Sequence, residues 1–343
     1  MLSDPTWSPL KDDPEVSPID KHANRVQSYQ GITYHYDELG NMVRKEAEDK
    51  TLELSYNLNQ QLITANITHN SKIEKQESWQ YTYDVFGRRI RKEQISNNVI
   101  EKKTEFVWDG ARLLQESTDK RTFTYIYREE GFEPLAQIVL EPEQEEPQIN
   151  FLHTDQVGLP KELTDEKGEL IWYAKYQTWG KVSEEHNLHQ GHQPFRFQNQ
   201  YYDAETGLHY NLMRYYDADS GRFSNQDPIG LLGGTNLYQY APNPMGWIDP
   251  WGFKCYLDDP KKKVNNANVG DVVRTPTSHP SDFTRANKGN WKNKHTNEIW
   301  SKSHTTHSDK AGEWKVGIGK SAPNKSKKIT VGISDGKIIK IDR

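Results

Sequence analysis

A short unit recurs along residues 31–220: an aromatic residue, then Asp or Asn, in most copies a Gly within three residues, with alternating side chains on both flanks. It reads Ile32-Thr33-Tyr34-His35-Tyr36-Asp37-Glu38-Leu39-Gly40-Asn41 followed by Val43-Arg44-Lys45-Glu46. It returns as Trp79-Gln80-Tyr81-Thr82-Tyr83-Asp84-Val85-Phe86-Gly87-Arg88-Arg89-Ile90-Arg91-Lys92-Glu93. Weaker copies are Leu54-Ser55-Tyr56-Asn57 with Gln61-Leu62-Ile63, and Phe106-Val107-Trp108-Asp109-Gly110 with Arg112-Leu113-Leu114-Gln115-Glu116. Each copy is a strand, a tight turn and a second strand, which is a β-hairpin. A lone hairpin cannot bury its apolar face, so the copies must stack into one sheet. Long helical periodicity is absent. The expected fold is mostly β: stacked antiparallel hairpins, followed by a small α+β or all-β domain.

Hydrophobic residues make up only 33% of the 343, but aromatics reach 11%, with 18 Tyr and 10 Trp. That mixture excludes a disordered chain, which is poor in rings. It suits pleated surfaces with one wet side. Cys255 is the only cysteine, which excludes an internal disulfide framework and a Cys-based zinc site. The N-terminus has no basic-then-apolar signal region, and no apolar run approaches the ~20 residues that span a bilayer. Any export is therefore expected to use a route without a cleavable signal.

Charge divides the chain near residue 253. Residues 1–253 carry 25 Lys+Arg against 40 Asp+Glu, whereas residues 254–343 carry 19 against 9. An acidic body joined to a basic tail implies two jobs, and the tail's charge points to a polyanion. A Lys-rich surface that only keeps a domain soluble is the other reading.

The Tyr-Asp-x-x-Gly-Arg spacing resembles the tyrosine-aspartate repeats of Rhs proteins. Residues 201–253 strengthen the resemblance. They run Tyr201-Tyr202-Asp203-Ala204-Glu205-Thr206-Gly207-Leu208, Asn211-Leu212-Met213-Arg214-Tyr215-Tyr216-Asp217, Gly221-Arg222-Phe223 and Gln226-Asp227-Pro228-Ile229-Gly230-Leu231. Then come Gly233-Gly234-Thr235-Asn236-Leu237-Tyr238-Gln239-Tyr240, Asn243-Pro244 and Ile248-Asp249-Pro250-Trp251-Gly252-Phe253. This block looks like the core-associated segment that ends the shell of Rhs polymorphic toxins. The resemblance implies repeats that spiral into a hollow β-cocoon around a C-terminal toxin, with too few units here to close one. The chain thus resembles the terminal portion of such a protein, or a truncated relative. The implied organisation is an N-terminal extension (1–27), a repeat region (28–200), the core-associated segment (201–253), a linker (254–271) and a toxin domain (272–343). A specialised secretion system, in the first instance type VI, a spike or adaptor protein and an acidic immunity protein follow as expected partners.

Asp227 and Asp249 stand in two copies of Asp-Pro-x-Gly, 22 residues apart. Asp-Pro-x-Gly is an ordinary turn in its own right, with Asp capping and Pro fixing φ. Aspartyl proteolysis needs two carboxylates that share a proton, one acting as base toward water while the other polarises the scissile carbonyl. The Rhs resemblance implies that these two aspartates are such a pair and that the chain is cut after Phe253, where the family usually has Leu. The cut would fall where the charge inverts.

In the tail, Lys261-Lys262-Lys263 and Asn265-Asn266 read as linker. Strands are expected at Glu298-Ile299-Trp300, Glu313-Trp314-Lys315-Val316-Gly317-Ile318, Lys328-Ile329-Thr330-Val331-Gly332-Ile333 and Lys337-Ile338-Ile339-Lys340-Ile341, in a twisted antiparallel sheet of three to five strands. A helix is expected after Ser281-Asp282. Between Trp300 and Trp314 lie Ser303, His304, His307 and Asp309. A metal-independent ribonuclease needs a base for the 2′-OH, an acid for the leaving oxygen and a cation for the phosphorane. His307, Asp309 or Glu313, and Lys315 can supply these, with Trp300 and Trp314 stacking bases and Lys302 and Lys320 meeting RNA. A polar surface loop is the plain reading of the same stretch. No cofactor is called for: His304 and His307 are three apart, with no further His or Cys to complete a metal site.

Trp291-Lys292-Asn293-Lys294, Glu298-Ile299-Trp300, a His before Trp314-Lys315-Val316, and Asp335-Gly336-Lys337 together resemble contact-dependent toxins similar to the ribosome-cleaving nucleases of E-group colicins. That resemblance implies ribosomal RNA as substrate and transfers roles best to His307 and Lys315. Ser303 stands four before the histidine, where the family has an acidic residue, so Asp309 or Glu313 would take over. A DNA- or tRNA-cleaving tail, and a non-enzymatic repeat protein with an adhesive tail, are the competing readings.

Overall fold

A computed structural model describes residues 19–20, 24–70, 75–129, 131–144, 146–253, 256–257, 263–271, 273–277, 280–303, 312–318, 321–333 and 336–342. Fifteen strands, from Ser28–Tyr29 to Val182–Asn187, form one antiparallel sheet in which every strand pairs with its neighbours in sequence. The expected hairpin stack is present.

The repeat's chemistry explains the stacking. Asp84 opens a turn in which its amide donates to the Arg88 carbonyl, and its carboxylate accepts from the Phe86 and Arg88 amides at 2.9 Å. Gly87 closes the turn at φ +82°, where a side chain would be strained. The aromatic residue before the turn joins one hairpin to the last. Tyr56, Tyr83 and Tyr127 donate their hydroxyls to the carbonyls of Met42, Leu62 and Leu113 at 2.9, 2.7 and 2.9 Å, and the Trp108 indole does the same to Arg89 at 2.8 Å. Each acceptor is the first or second residue of the preceding strand. The Tyr-Asp pair therefore couples turn formation to sheet growth.

One face of this sheet is covered by the segment that follows it. Strands Tyr201–Asp203, Leu208–Asn211, Arg214–Asp217 and Arg222–Phe223 form a small sheet whose rings enter the same core as Leu52, Leu54, Trp79, Tyr81 and Phe106. Buried charges tie the two layers. Arg89 makes a two-pronged contact with Asp203, and Lys92 bridges Asp203 and Glu205 at 3.0 Å each. Lys45 donates to Asp217 and Asp219 at 2.6 Å. Burial opposes the charge on Asp219, yet Lys45 and Lys181 bring its carboxyl down to about 2.

The tail has a separate core of Phe283, Trp300, Trp314, Val316, Ile329, Val331 and Ile338 beneath a six-stranded antiparallel sheet. Its strands are Phe283–Arg285, Trp291–Asn293, Ile299–Ser303, Glu313–Val316, Lys328–Gly332 and Ile338–Asp342. That is one strand more than expected, and the expected helix is a single 3-10 turn, Pro280–Asp282, that runs straight into a strand. The Asp282 carboxylate is held by Arg274 at 2.8 Å and faces His295 at 3.4 Å, so it ties neighbouring segments together instead of capping a helix. The end of the expected linker also belongs to this unit. Val264 and Ala267 are buried in its core, and Asn265 donates to buried Glu298 through its amide nitrogen at 2.9 Å and its side chain at 2.7 Å.

Candidate functional site

Both Asp-Pro-x-Gly motifs are turns: the Gly230 amide donates to Asp227 at 2.8 Å and the Gly252 amide to Asp249 at 3.3 Å. The turns also bring their aspartates together. Arg214 Nη2 lies 3.3 Å from Asp227 Oδ2 and 3.2 Å from Asp249 Oδ2, with all three side chains buried. The guanidinium is fixed from every side. Its Nε donates to the Gly252 carbonyl, Nη1 to the Leu237 carbonyl at 3.2 Å, and its plane sits 3.6 Å from the centre of the Phe223 ring. Two buried carboxylates thus share one cation.

The bond expected to be cut lies at this cluster. The Phe253 amide donates to Asp249 Oδ1 at 3.0 Å. A Cβ added to Gly233 would stand 2.2 Å from Asp227 Oδ2 and 2.8 Å from the Phe253 carbonyl oxygen, so that carbonyl and the Asp227 carboxylate converge on one spot. Asn211 and Asn199 hold the approach by donating to the Asp249 and Pro250 carbonyls at 2.9 and 2.7 Å. The sequence reading missed Arg214 and Gly233. A lone Arg among tyrosines, and a Gly pair just after the first motif, were the available signals.

In the tail, Ser303 pairs across the strands with Glu313, and Ser301 with Lys315. Because side chains alternate, Ser303, Glu313 and Lys315 share one face. Lys315 Nζ contacts the buried Glu313 carboxylate and donates to Thr330 Oγ1 at 3.0 Å. Trp300, Lys302 and Trp314 occupy the opposite face.

The stacking role expected of the tryptophans is corrected by their position. Trp300 and Trp314 are 0% and 3% exposed, pack edge to face with ring centres 6.4 Å apart, and the Trp314 indole donates to Thr277 at 3.0 Å. They are core residues, closed to a base. Lys302 is exposed on its strand. His304, His307, Asp309 and Lys320 lie outside the described residues, as does Cys255. Among the described residues, no three His, Cys, Asp or Glu side chains are grouped to hold a metal.

Residues 149–186 match the RHS protein family. The chain is 39% identical over 250 residues to "Double-stranded DNA deaminase toxin A" of Burkholderia cenocepacia, which covers 67% of this chain and 17% of the relative. It is 35% identical over 260 residues to "Toxin protein Tse5" of Pseudomonas aeruginosa (67% and 19%), and 30% identical over 246 residues to "Probable deoxyribonuclease RhsA" of Dickeya dadantii (68% and 16%). The chain thus spans less than a fifth of the length of these relatives. Among solved structures it is similar to "Crystal Structure of TcdB2-TccC3-TEV", with a TM-score of 0.48 and 18% identity over 65% of this chain and 13% of that one. The tyrosine-aspartate hairpins, the RHS match over residues 149–186 and the likeness to two toxin proteins and to the probable deoxyribonuclease RhsA make this chain an Rhs protein.

Proposed function

We propose that the chain belongs to an Rhs polymorphic toxin used in competition between bacteria, and that its shell frees the tail by cutting itself after Phe253. The supporting observation is the approach of the Asp227 carboxylate to the Phe253 carbonyl, with Asp249 beside it on the shared Arg214. One aspartate takes a proton from water, whose oxygen adds to the Phe253 carbonyl carbon while the other aspartate, protonated, polarises that carbonyl; the first then passes its proton to the nitrogen, and the Phe253–Lys254 bond breaks to give a carboxylic acid and an amine. The freed piece carries the surplus of ten positive charges.

The tail then acts as a nuclease on RNA, in the first instance ribosomal RNA. Lys315 serves as the phosphate-facing cation, Glu313 or Asp309 with His307 as the acid/base pair, and Ser303 as a neighbouring hydroxyl. Buried Glu313 against Lys315 on one sheet face supports this reading. A DNA-directed tail is favoured by relatives named as a DNA deaminase toxin and a probable deoxyribonuclease. An acidic immunity protein would match the tail's charge.

The test is purification of the full chain alongside Asp227→Asn, Asp249→Asn, His307→Ala and Lys315→Met variants. Each preparation is followed by gel mobility and by incubation with ribosomes, tRNA and duplex DNA, with and without EDTA. The reading requires a roughly 10 kDa fragment from the parent and none from the Asn variants. It further requires a discrete RNA product that persists in EDTA and disappears with either tail variant. Cleavage of DNA alone would move the assignment to the second reading, and no cleavage of any polymer would remove the nuclease.

A further inference from the structure

A pocket of about 840 Å³ opens between the large sheet and the strap Leu188–His192, away from both sites above. Its floor includes Gln137, which is 1% exposed, and neither amide atom of its side chain has a hydrogen-bond partner. Asn150, also buried, is its cross-strand neighbour and lines the same floor. Phe123 and His192 form a wall with ring centres 4.5 Å apart, and the His192 ring is anchored to buried Glu116.

A buried amide without partners is costly, so a group that meets its donor and its acceptor together is strongly selected. Another amide does this; an ammonium, which only donates, does not. The rim sets the charge. Five carboxylates line the pocket, Glu166 and Glu169 among them, against Arg121 and Lys167, and Arg121 already faces Glu141 at 3.6 Å. A phosphate-bearing ligand is repelled there, and a cation is drawn in.

We propose that this pocket binds an extended, lysine-bearing peptide segment. One backbone amide of the peptide pairs with the Gln137 side chain, and its ammonium groups meet the rim carboxylates. The chain itself carries a segment of this chemistry, Lys261-Lys262-Lys263, so the occupant comes either from within the molecule or from another polypeptide.

The experiment titrates the full chain with a fluorescein-labelled ten-residue peptide containing three consecutive lysines and reads anisotropy at low salt. Saturable binding is expected, weakened about tenfold by Glu166→Lys with Glu169→Lys, since like charges then face the peptide. Gln137→Leu, which keeps shape and removes the unpaired amide, is expected to weaken binding several-fold while raising the melting temperature. A Lys261→Glu, Lys262→Glu, Lys263→Glu chain separates the sources: tighter binding of the added peptide identifies the internal segment as its competitor, and unchanged binding identifies a foreign one. Equal affinity in the parent and in both pocket variants overturns the proposal. So does an oligonucleotide that competes for the site.

Discussion

Gly233 packs against Asp227 with no room for a methyl group: a Cβ there would stand 2.2 Å from the carboxylate Oδ2. It would also press on the Phe253 carbonyl. Gly233→Ala is therefore expected to abolish cutting after Phe253 although both aspartates and Arg214 remain. Gel mobility of the purified variant should show one uncut band, and circular dichroism an unchanged strand signal. Cutting at the parental rate would mean that this carbonyl is not the one attacked.

Arg89 is fully enclosed by Asp203 and by the rings of Tyr81, Phe106, Tyr201 and Tyr210, with ring centres 4.4 to 5.5 Å from its guanidinium carbon. Loss of Arg89 leaves the buried Asp203 with Lys92 as its remaining cation, and removing one partner of a buried pair costs about 3–5 kcal/mol. Arg89→Ala should lower shell stability by that amount in urea. Arg89→Met combined with Asp203→Leu should cost clearly less, because no charge is left alone.

Trp300 fills the centre of the tail core, against Phe283 at 5.4 Å and Trp314. Trp300→Ala should destabilise the tail by about 3–5 kcal/mol. A groove residue would instead lower affinity and leave the melting temperature alone, so calorimetry beside a binding assay separates the two roles.

His209 is buried, and burial together with the nearby Arg196 charge holds its pKa well below the usual 6.5. It stays neutral in the folded chain, with Gln200 Oε1 2.8 Å from Nδ1. Its unfolded counterpart takes up a proton below about pH 6.5, so the unfolded state binds the extra proton and stability is lost as the pH drops below that value. The slope from this one group is about 1.4 kcal/mol per pH unit. Denaturant midpoints between pH 7.5 and 5 should show it, and His209→Gln should flatten it. Glu116 acts lower on the scale. Burial pushes its carboxyl up, but His192, Tyr125 and Tyr201 overcome this and hold it at about 2. Its contribution is complete above about pH 4.5 and vanishes as pH falls toward 2.

The hairpins were legible because their signal is local: an Asp that caps its own turn, a Gly at positive φ, and an aromatic ring that reaches only one strand back. Where the ring is missing the reading weakened, as at Asp155 and Asp165, whose turns close in the same way after Thr154 and Thr164. The RHS match nevertheless falls on that stretch. Asp227 and Asp249 were legible as a repeated dipeptide motif, but Arg214 was not, since its role exists only once two distant turns converge. The tryptophans misled for a physical reason. A ring beside lysines looks like a base-stacking platform in sequence, and only the register, which sets Trp300 and Trp314 on the inward face, shows that they are core.

Nearest-neighbour pairing in the fifteen-strand wall carries a consequence for timing. Each hairpin can zip as soon as it leaves the ribosome, because no strand waits for a remote partner. The lock between Lys45 and Asp217 is different: it spans 172 residues and cannot close until the wall stands. Asp217 and Arg214 sit on one strand, so the same event that seals the wall seats the arginine between the aspartates. The self-scission proposed above would then follow assembly, and a half-built wall would keep the tail attached.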